Sequence, residues 1–378
     1  MTISKYDSSN IKILNKKIIL KIVHKYRPIS RNDIATLTGL KGSSVTRLVS
    51  ELIEEGHIIE GGMLSTGTPG RKKIMLEINP NYKVSMLLDI GVNTTTLAVG
   101  FYDGSVKTLH TFHTPKNAEK FFEKVKKYYT DLEKLYKLST VVLSVPGMVD
   151  ISTNTIINAP NIGWKNIRIG EFLEVNVPVL ADNEANLSVL AEKYHSKLLG
   201  NFSDIVFVLV REGVGTGVLI NNSLIRGKFY SAGEFGHMTI DINSSKKCHC
   251  GKNGCWELYS SIRYALSKAK KELGLNASSF EELVKLEKAK PVIVDMAKNI
   301  GRGIVNIVNA INPEVVILGG AITNMPYYFY HEISKVVRNE ALRPANEKVI
   351  ILPTMFKDIS SNLVGANIYA IDYWIDKI

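Results

Sequence analysis

The chain has 378 residues, 45% of them apolar and 22% charged, with a net charge of +11. That is room for two or three domains with buried cores; no apolar run approaches the ~18 residues of a membrane span, and the first residues lack a signal-peptide pattern. Three cysteines, an odd number, argue against a disulfide framework, and a cytoplasmic protein with no membrane role is expected.

The charge is uneven. Residues 1–80 carry thirteen Lys or Arg against seven Asp or Glu, a net +6 from about a fifth of the chain. A small basic segment suits a phosphate backbone, although a Lys-rich surface would give the same count. Ile11–His24 has helical apolar spacing with Lys on the other face. Ser30 is placed to cap a second helix, with Asp33 in its first turn, and Gly39 breaks that helix at a tight turn. Ser43 or Ser44 is placed to cap a third, whose apolar face is Val45, Leu48, Val49, Leu52 and Ile53. Ser43, Ser44, Thr46 and Arg47 then project near its start, short hydrogen-bonding groups plus a guanidinium that suit a major groove. Strands at His57–Glu60 and Lys73–Ile78 flank a Gly-rich loop ending in the cations Arg71, Lys72 and Lys73, a wing able to lie along a minor groove. Residues 1–79 are therefore expected to form a winged helix-turn-helix that binds double-stranded operator DNA.

Beyond residue 80 the pattern turns α/β and repeats. Val84–Asp89 is a predicted strand, followed by Gly91, a strand Thr95–Tyr102, and a turn at Asp103–Gly104 into a third. A helix (Asn117–Tyr136) and the strand Val141–Val145 follow. In the second half Ile205–Val210 leads into Glu212-Gly-Val-Gly-Thr-Gly217, then Val218–Ile220 and a turn at Asn221–Asn222. Two copies of strand, glycine turn and hairpin point to a duplicated two-lobed fold with a cleft between the lobes. Later come a helix at Val292–Ile311, the strand Val315–Leu318 with Gly319–Gly320, and a closing helix at Asn362–Trp374. The glycine turns at Asp89–Gly91 and Glu212–Gly217 could bring backbone N–H groups to phosphate, or be plain hairpin turns. Asp182–Asn186 follows the strand Val177–Leu180 and opens a helix. With Asn161 and Trp164 it offers carboxylates, amides and an aromatic face, the usual equipment for a sugar; Asp182 could instead be a helix cap.

The densest signal is Ser231–Glu257. Cys248, Cys250 and Cys255 stand in a C-x-C-x4-C pattern, eleven residues and more after His237. Three thiolates and an imidazole supply the four N/S ligands of a closed, structural zinc site. His249 is a rival fourth ligand, but a residue between two ligating cysteines is poorly placed to point inward. Such a zinc has no open position, so its expected work is to fix the loop carrying Glu257 and the ring of His237.

Together Asp89-Ile-Gly91, Val145-Pro-Gly147-Met-Val-Asp150, Asp182-Asn-Glu-Ala-Asn186, Gly233-Glu-Phe-Gly-His237, the cysteine motif through Glu257 and Leu318-Gly-Gly320 resemble the ROK family of repressors and sugar kinases, over nearly the whole chain. With the N-terminal segment in front, the chain is similar to the repressor branch. The resemblance implies an actin-like, hexokinase-like (ribonuclease H-like) domain over 80–378, with one lobe of about 80–183 plus the C-terminal helix and a second of about 184–350. It implies sugar contacts from Asn183, Glu184, Glu234, His237 and Glu257, and zinc ligands His237, Cys248, Cys250 and Cys255. The implied effector is a free monosaccharide such as xylose or glucose, and the implied assembly a homodimer or a tetramer. The family's kinases place an aspartate at the position of Glu184, a Gly-Thr pair where Val92 and Asn93 stand, and a small residue where Glu212 stands. These departures imply a sensor that does not transfer phosphate. The alternatives are an ATP-dependent sugar kinase carrying a DNA-binding segment, or a module that docks another protein.

Overall fold

The computed structural model describes residues 8–64, 73–196 and 199–378. The N-terminal head has three helices, Ser8–Tyr26, Arg31–Thr38 and Gly42–Glu54, and an antiparallel hairpin, Ile58–Leu64 against Lys73–Ile78. Ser30 caps the second helix in a reciprocal box with Asp33, and Gly39, at φ +69°, ends it. The third helix differs from expectation. It starts at Gly42 behind Lys41, with no side-chain cap, so Ser43 and Ser44 lie inside its first turn. Of its expected apolar face, Val45, Leu48, Val49 and Leu52 are buried and Ile53 is partly buried. Arg71 and Lys72 lie outside the described residues.

Two five-stranded sheets follow. In the first, Val179–Asn183, Leu138–Val145 and Val84–Ile90 run parallel, and Thr94–Phe101 and Val106–His113 continue it antiparallel. In the second, Ile350–Pro353, Val315–Gly320 and Ile205–Val210 are parallel, and Val214–Ile220 and Ser223–Leu224 antiparallel. Counted in chain order within each sheet, both read 3-2-1-4-5, so the repetition legible in the sequence is a repetition of topology. The parallel strands of both sheets end at one cleft, where the loops after parallel strands can meet a ligand.

The glycines of Glu212–Gly217 do not make the long turn that the sequence suggested. The turn is confined to Arg211–Gly213, and Val214–Ile220 is strand throughout. Gly217 is small for another reason: a Cβ there would lie 2.2 Å from the carbonyl oxygen of Ala185. The strand thus presses against the helix Glu184–His195 at backbone distance.

That helix and the C-terminal helix Ser361–Asp376 pack together between the sheets. The C-terminal helix also enters the core of the head. Ile368, Ile371 and Ile375 share one apolar cluster with Ile19, Leu20 and Val23 of the first helix and with Val45, Leu48 and Ile58. Polar contacts cross the same junction. The Tyr194 hydroxyl lies 2.7 Å from His24 Nδ1, the Tyr102 hydroxyl 3.0 Å from His57 Nδ1, and the Arg27 guanidinium donates to the Asp103 carbonyl. Burial lowers His24 to about 3 and His57 to about 4, so both rings are neutral packing groups. Among the described residues no helix is long and apolar enough to cross a membrane.

Candidate functional site: a carboxylate-lined cup beside a Cys/His cluster

The cleft between the sheets holds a cavity of ≈ 280 Å³, just under the roughly 300 Å³ at which the usual range for ligand pockets begins. Asn183, Glu184, Glu234, His237 and Glu257, scattered over 75 positions of sequence, all line it. Asn183 ends a strand of the first sheet and caps the helix Glu184–His195, accepting from the N–H groups of Ala185 and Asn186 while its amide donates to the Gly147 carbonyl. This leaves Asp182 out of the capping role open to it in sequence. Asp182 is buried, paired with Arg226 at 2.6 Å and accepting from the Asn186 amide.

Glu184 begins the helix. Burial pushes its carboxyl up to about 7, with Asp89 and Glu212 adding to the rise and Arg211 opposing it. Glu234 is likewise raised by burial and by Glu257. Burial acts on Glu257 in the same sense, but the neighbouring His249 outweighs it and holds the group below the usual glutamate value.

Trp164 is a correction. It does not line the cup: it is 2% exposed, packs on Phe121 and Phe122, and donates its indole N–H to the Lys116 carbonyl. Its size serves the first lobe's core. Asn161, from the same segment, does reach the cleft, as do Gly91 and Val92.

The cysteine loop closes one side. His237 sits in a 3-10 turn, Phe235–His237, held against the strand Val214–Ile220. A Cβ on Gly236 would lie 2.1 Å from the Val214 carbonyl oxygen. Bridges Lys247–Asn253 and Thr239–Cys255, with Gly251 at φ +92° and Gly254 at φ +70°, fold the loop back on itself. The result gathers His237, Cys248, Cys250 and Cys255, whose ligand atoms all lie within 4.8 Å of one another. Cys248 Sγ is 3.5 Å from His237 Nδ1, and Cys250 Sγ is 3.6 Å from Cys255 Sγ. The second separation is far beyond a disulfide bond. It matches the edge of about 3.8 Å between thiolates of a tetrahedron with 2.3 Å Zn–S bonds. The donor set and its spacing therefore fit zinc. With Nδ1 turned to the thiols, Nε2 is the ring nitrogen left over.

His249 departs from expectation. Its Nδ1 lies 3.0 Å from Glu257 Oε1, and it lines the cup. The tight turn after Cys248 swings the intervening side chain inward. His237, Cys248, His249 and Glu257 thus make a second overlapping cluster, but three thiolates and an imidazole are the softer set that zinc prefers.

Arg211, which sequence reasoning passed over, sits at the centre of the cleft. It follows the wholly buried strand Ile205–Val210. Its guanidinium donates to both carboxylate oxygens of Asp89, at 3.2 and 3.0 Å, to Glu184 Oε2 at 2.8 Å, and to Asn362 Oδ1 at 3.2 Å. The available signal was a lone cation closing an unbroken apolar strand beside a turn already singled out.

Two lobes of this shared topology, with a ligand-sized cleft between them and an adjoining Cys/His knuckle, define an actin-like two-lobed α/β fold, here with three helices and a hairpin in front. The ROK family model matches residues 86–372, and the chain belongs to the ROK family. It is 32% identical over 377 residues to a putative xylose repressor of Caldicellulosiruptor sp. (strain Rt8B.4), covering 92% of this chain and 93% of that one. It is 29% identical to the xylose repressor of Bacillus subtilis, covering 98% of both. Among solved structures, a ROK family transcriptional regulator, a homologue of the Escherichia coli MLC protein, superposes with a TM-score of 0.78 at 22% identity, covering 96% of this chain and 97% of that one. A ROK family glucokinase from Streptomyces griseus superposes with a TM-score of 0.67 at 24% identity, covering 76% of this chain and 98% of that one.

Proposed function

We propose that the protein is a sugar-responsive DNA-binding repressor of carbohydrate catabolic genes, acting in the cytoplasm. The observation that carries this reading is the path of two helices. Glu184–His195 begins with a carboxylate in the cup and ends with Tyr194 on His24 of the head. Ser361–Asp376 begins beside Arg211 and ends within the head's core. A ligand that moves the cup end of either helix strains the junction with the head. Operator affinity and sugar affinity then couple reciprocally.

The proposed division is a winged helix-turn-helix over 1–79 and a sugar-binding domain over 80–378. The coverage of this chain, 96% by the regulator against 76% by the glucokinase, supports it, since the difference is about the size of the head. Proposed DNA contacts are Ser43, Ser44, Thr46 and Arg47, with Arg71 and Lys72 on the wing. Ser43, Thr46 and Arg47 are exposed and Ser44 is half-buried. A homodimer or tetramer would set two such helices about 34 Å apart, or a multiple of that, on the operator. Asn183, Glu184, Glu234, His237 and Glu257 would hold the hydroxyls of a free monosaccharide. Xylose is the first candidate because of the names of the relatives. Zinc on His237, Cys248, Cys250 and Cys255 would supply rigidity, fixing the loop under Glu257.

A kinase with a DNA-binding appendage is the second reading, and one observation speaks for it: a glutamate at about 7 is well tuned for a general base. Against it, Oε2 of Glu184 and both oxygens of Asp89 are held by Arg211, and Val92 and Glu212 line the cup. The test is a gel shift of upstream DNA against a sugar panel, run beside an ADP-release assay. One sugar changing operator affinity, without turnover, is the expected result. Turnover above ~1 s⁻¹ would replace the repressor reading with the kinase, and no response to any sugar would remove it.

A further inference from the structure

Behind the cup lies a second cavity of ≈ 340 Å³, lined among others by Gly320, Thr323, Lys357, Ser360 and Asn362. Of the residues lining the two cavities, Arg211 alone borders both. Its guanidinium is the partition, pinned from three directions: Asp89 at the end of a first-sheet strand, Glu184 at the head of the helix leading to the DNA-binding head, and Asn362 at the start of the C-terminal helix. The anchors are themselves tied together. The Asn362 amide donates to Asp89 Oδ1 at 2.6 Å, and the Ser360 hydroxyl to Asp89 Oδ2 at 3.1 Å.

We propose that Arg211 is the positioning residue of sugar recognition: it forms the rear wall of the cup, aims the Glu184 carboxylate at the ligand, and confines the ligand to one uncharged sugar ring.

The reasoning is electrostatic and steric. Arg211 fills the passage through which a ligand would extend from one cavity to the other. Its single charge faces Asp89 and Glu184 directly, with Glu212 next to it in the chain. Arg211 offsets Asp89, while Glu212 and the partly ionised Glu184 add further negative charge, so the rear of the cup is net negative and a phosphate carried inward on the sugar meets repulsion. The same cation keeps Glu184 available as an acceptor. The charged groups facing Glu184 are Asp89 from the first sheet and Arg211 and Glu212 from the turn after Val210; the C-terminal helix offers only the neutral Asn362. With Oε2 accepting from Arg211, the ionised carboxylate presents Oε1 and the remaining lone pair of Oε2 to sugar hydroxyls; protonated, it gives up part of that capacity. Loss of the cation therefore withdraws acceptor strength from the cup at neutral pH.

This proposal rests on the sugar reading, and the experiment separates the two. Xylose and glucose affinity of the full chain is measured by calorimetry from pH 6 to 9, for the parent, Arg211→Gln, Arg211→Lys and Glu184→Gln. In the parent, affinity rises with pH as Glu184 ionises around 7. In Arg211→Gln the rise moves upward by roughly one to three pH units, the usual effect of removing an adjacent cation, and affinity at pH 7 falls by about fivefold or more, the loss of ionised Glu184 that such a shift produces. Arg211→Lys recovers part of the loss, and Glu184→Gln flattens the profile. If Arg211→Gln does not fold, Asp89→Asn/Arg211→Gln, which removes one orphaned carboxylate, is measured in its place. An Arg211 variant with parental affinity and an unmoved profile overturns the proposal alone. A parent chain that binds no sugar overturns the sugar reading and this proposal with it.

Discussion

Gly303→Ala is a one-methyl perturbation 48 positions from Cys255, yet the structure ties it to the cup. Gly303 lies in the helix Lys290–Ile311. A Cβ there would stand 1.9 Å from Trp256 Cε2 and 2.3 Å from Cδ2 and Nε1. Carbon atoms need about 3.5 Å, so the indole must withdraw by roughly 1.5 Å. Trp256 is fully buried and donates its N–H to the Asn299 carbonyl at 2.9 Å, so withdrawal meets packed neighbours and stretches that bond. Three terms compete. Replacing a helical glycine by alanine gains about 1 kcal/mol. Overpacking a core costs about 1–3 kcal/mol, and a weakened buried hydrogen bond about 1 kcal/mol more. The clash wins, by a net of about 1–3 kcal/mol. Trp256 is also the peptide neighbour of Cys255 and Glu257, so its displacement passes to a proposed metal ligand and a cup carboxylate together. Urea denaturation of the zinc-loaded protein should show a lower midpoint, and sugar affinity should fall about tenfold, the equivalent of 1.4 kcal/mol. Gly170→Ala, where a Cβ meets nothing within 4 Å, is the control. A Gly303→Ala protein as stable as its parent would refute the reasoning, because propensity would then have outweighed the clash.

Three further outcomes follow from individual groups. Glu192 is 2% exposed and burial raises its carboxyl from 4.5 to about 7. The folded chain then holds a proton that the unfolded chain has released between those values, so its contribution to stability is present below pH 4.5 and is lost as pH rises through 7. The loss is about 3 kcal/mol. Glu192→Gln should remove that slope and be the more stable protein at pH 8, and an unchanged pH profile in thermal melts would count against it. Cys255→Ser should lose zinc and sugar response together, read by metal analysis and gel shift; a retained sugar response would detach the metal from the cup. Arg47 is 63% exposed. Arg47→Ala should weaken operator binding by about 1–3 kcal/mol and leave sugar affinity alone, and equal operator affinity would remove it from the interface.

Much of this was legible in the chain itself. Cys248, Cys250 and Cys255 fall within eight positions, so chain connectivity already confines the three thiols, and His237 lies close enough in sequence to join their cluster. The head was readable because caps and turns are local: Ser30 with Asp33, and Gly39 at positive φ, act over a few residues. The repeated lobe was readable because each copy punctuates its strands alike. What failed were statements about where a side chain points. Trp164 could face a ligand or a core with the same neighbours in sequence, and only the packing of Phe121 and Phe122 assigns it to the core. His249 turns inward because the loop coils after Cys248, which the C-x-C spacing does not encode.

Local turn chemistry and cysteine spacing thus sufficed for the caps of the head and for the Cys/His cluster, since each depends on residues near one another along the chain, while the class of protein followed from the resemblance of the motifs to a family. The role of Arg211 did not follow from them. Its partners stand 122 positions before it, 27 before it and 151 after it, and nothing in its neighbours reveals that a half-buried guanidinium will meet Asp89, Glu184 and Asn362 at one point. That meeting exists only where two sheets and two helices converge, and there the reduced dielectric of the cleft turns four scattered polar residues into a single hydrogen-bonded charge network.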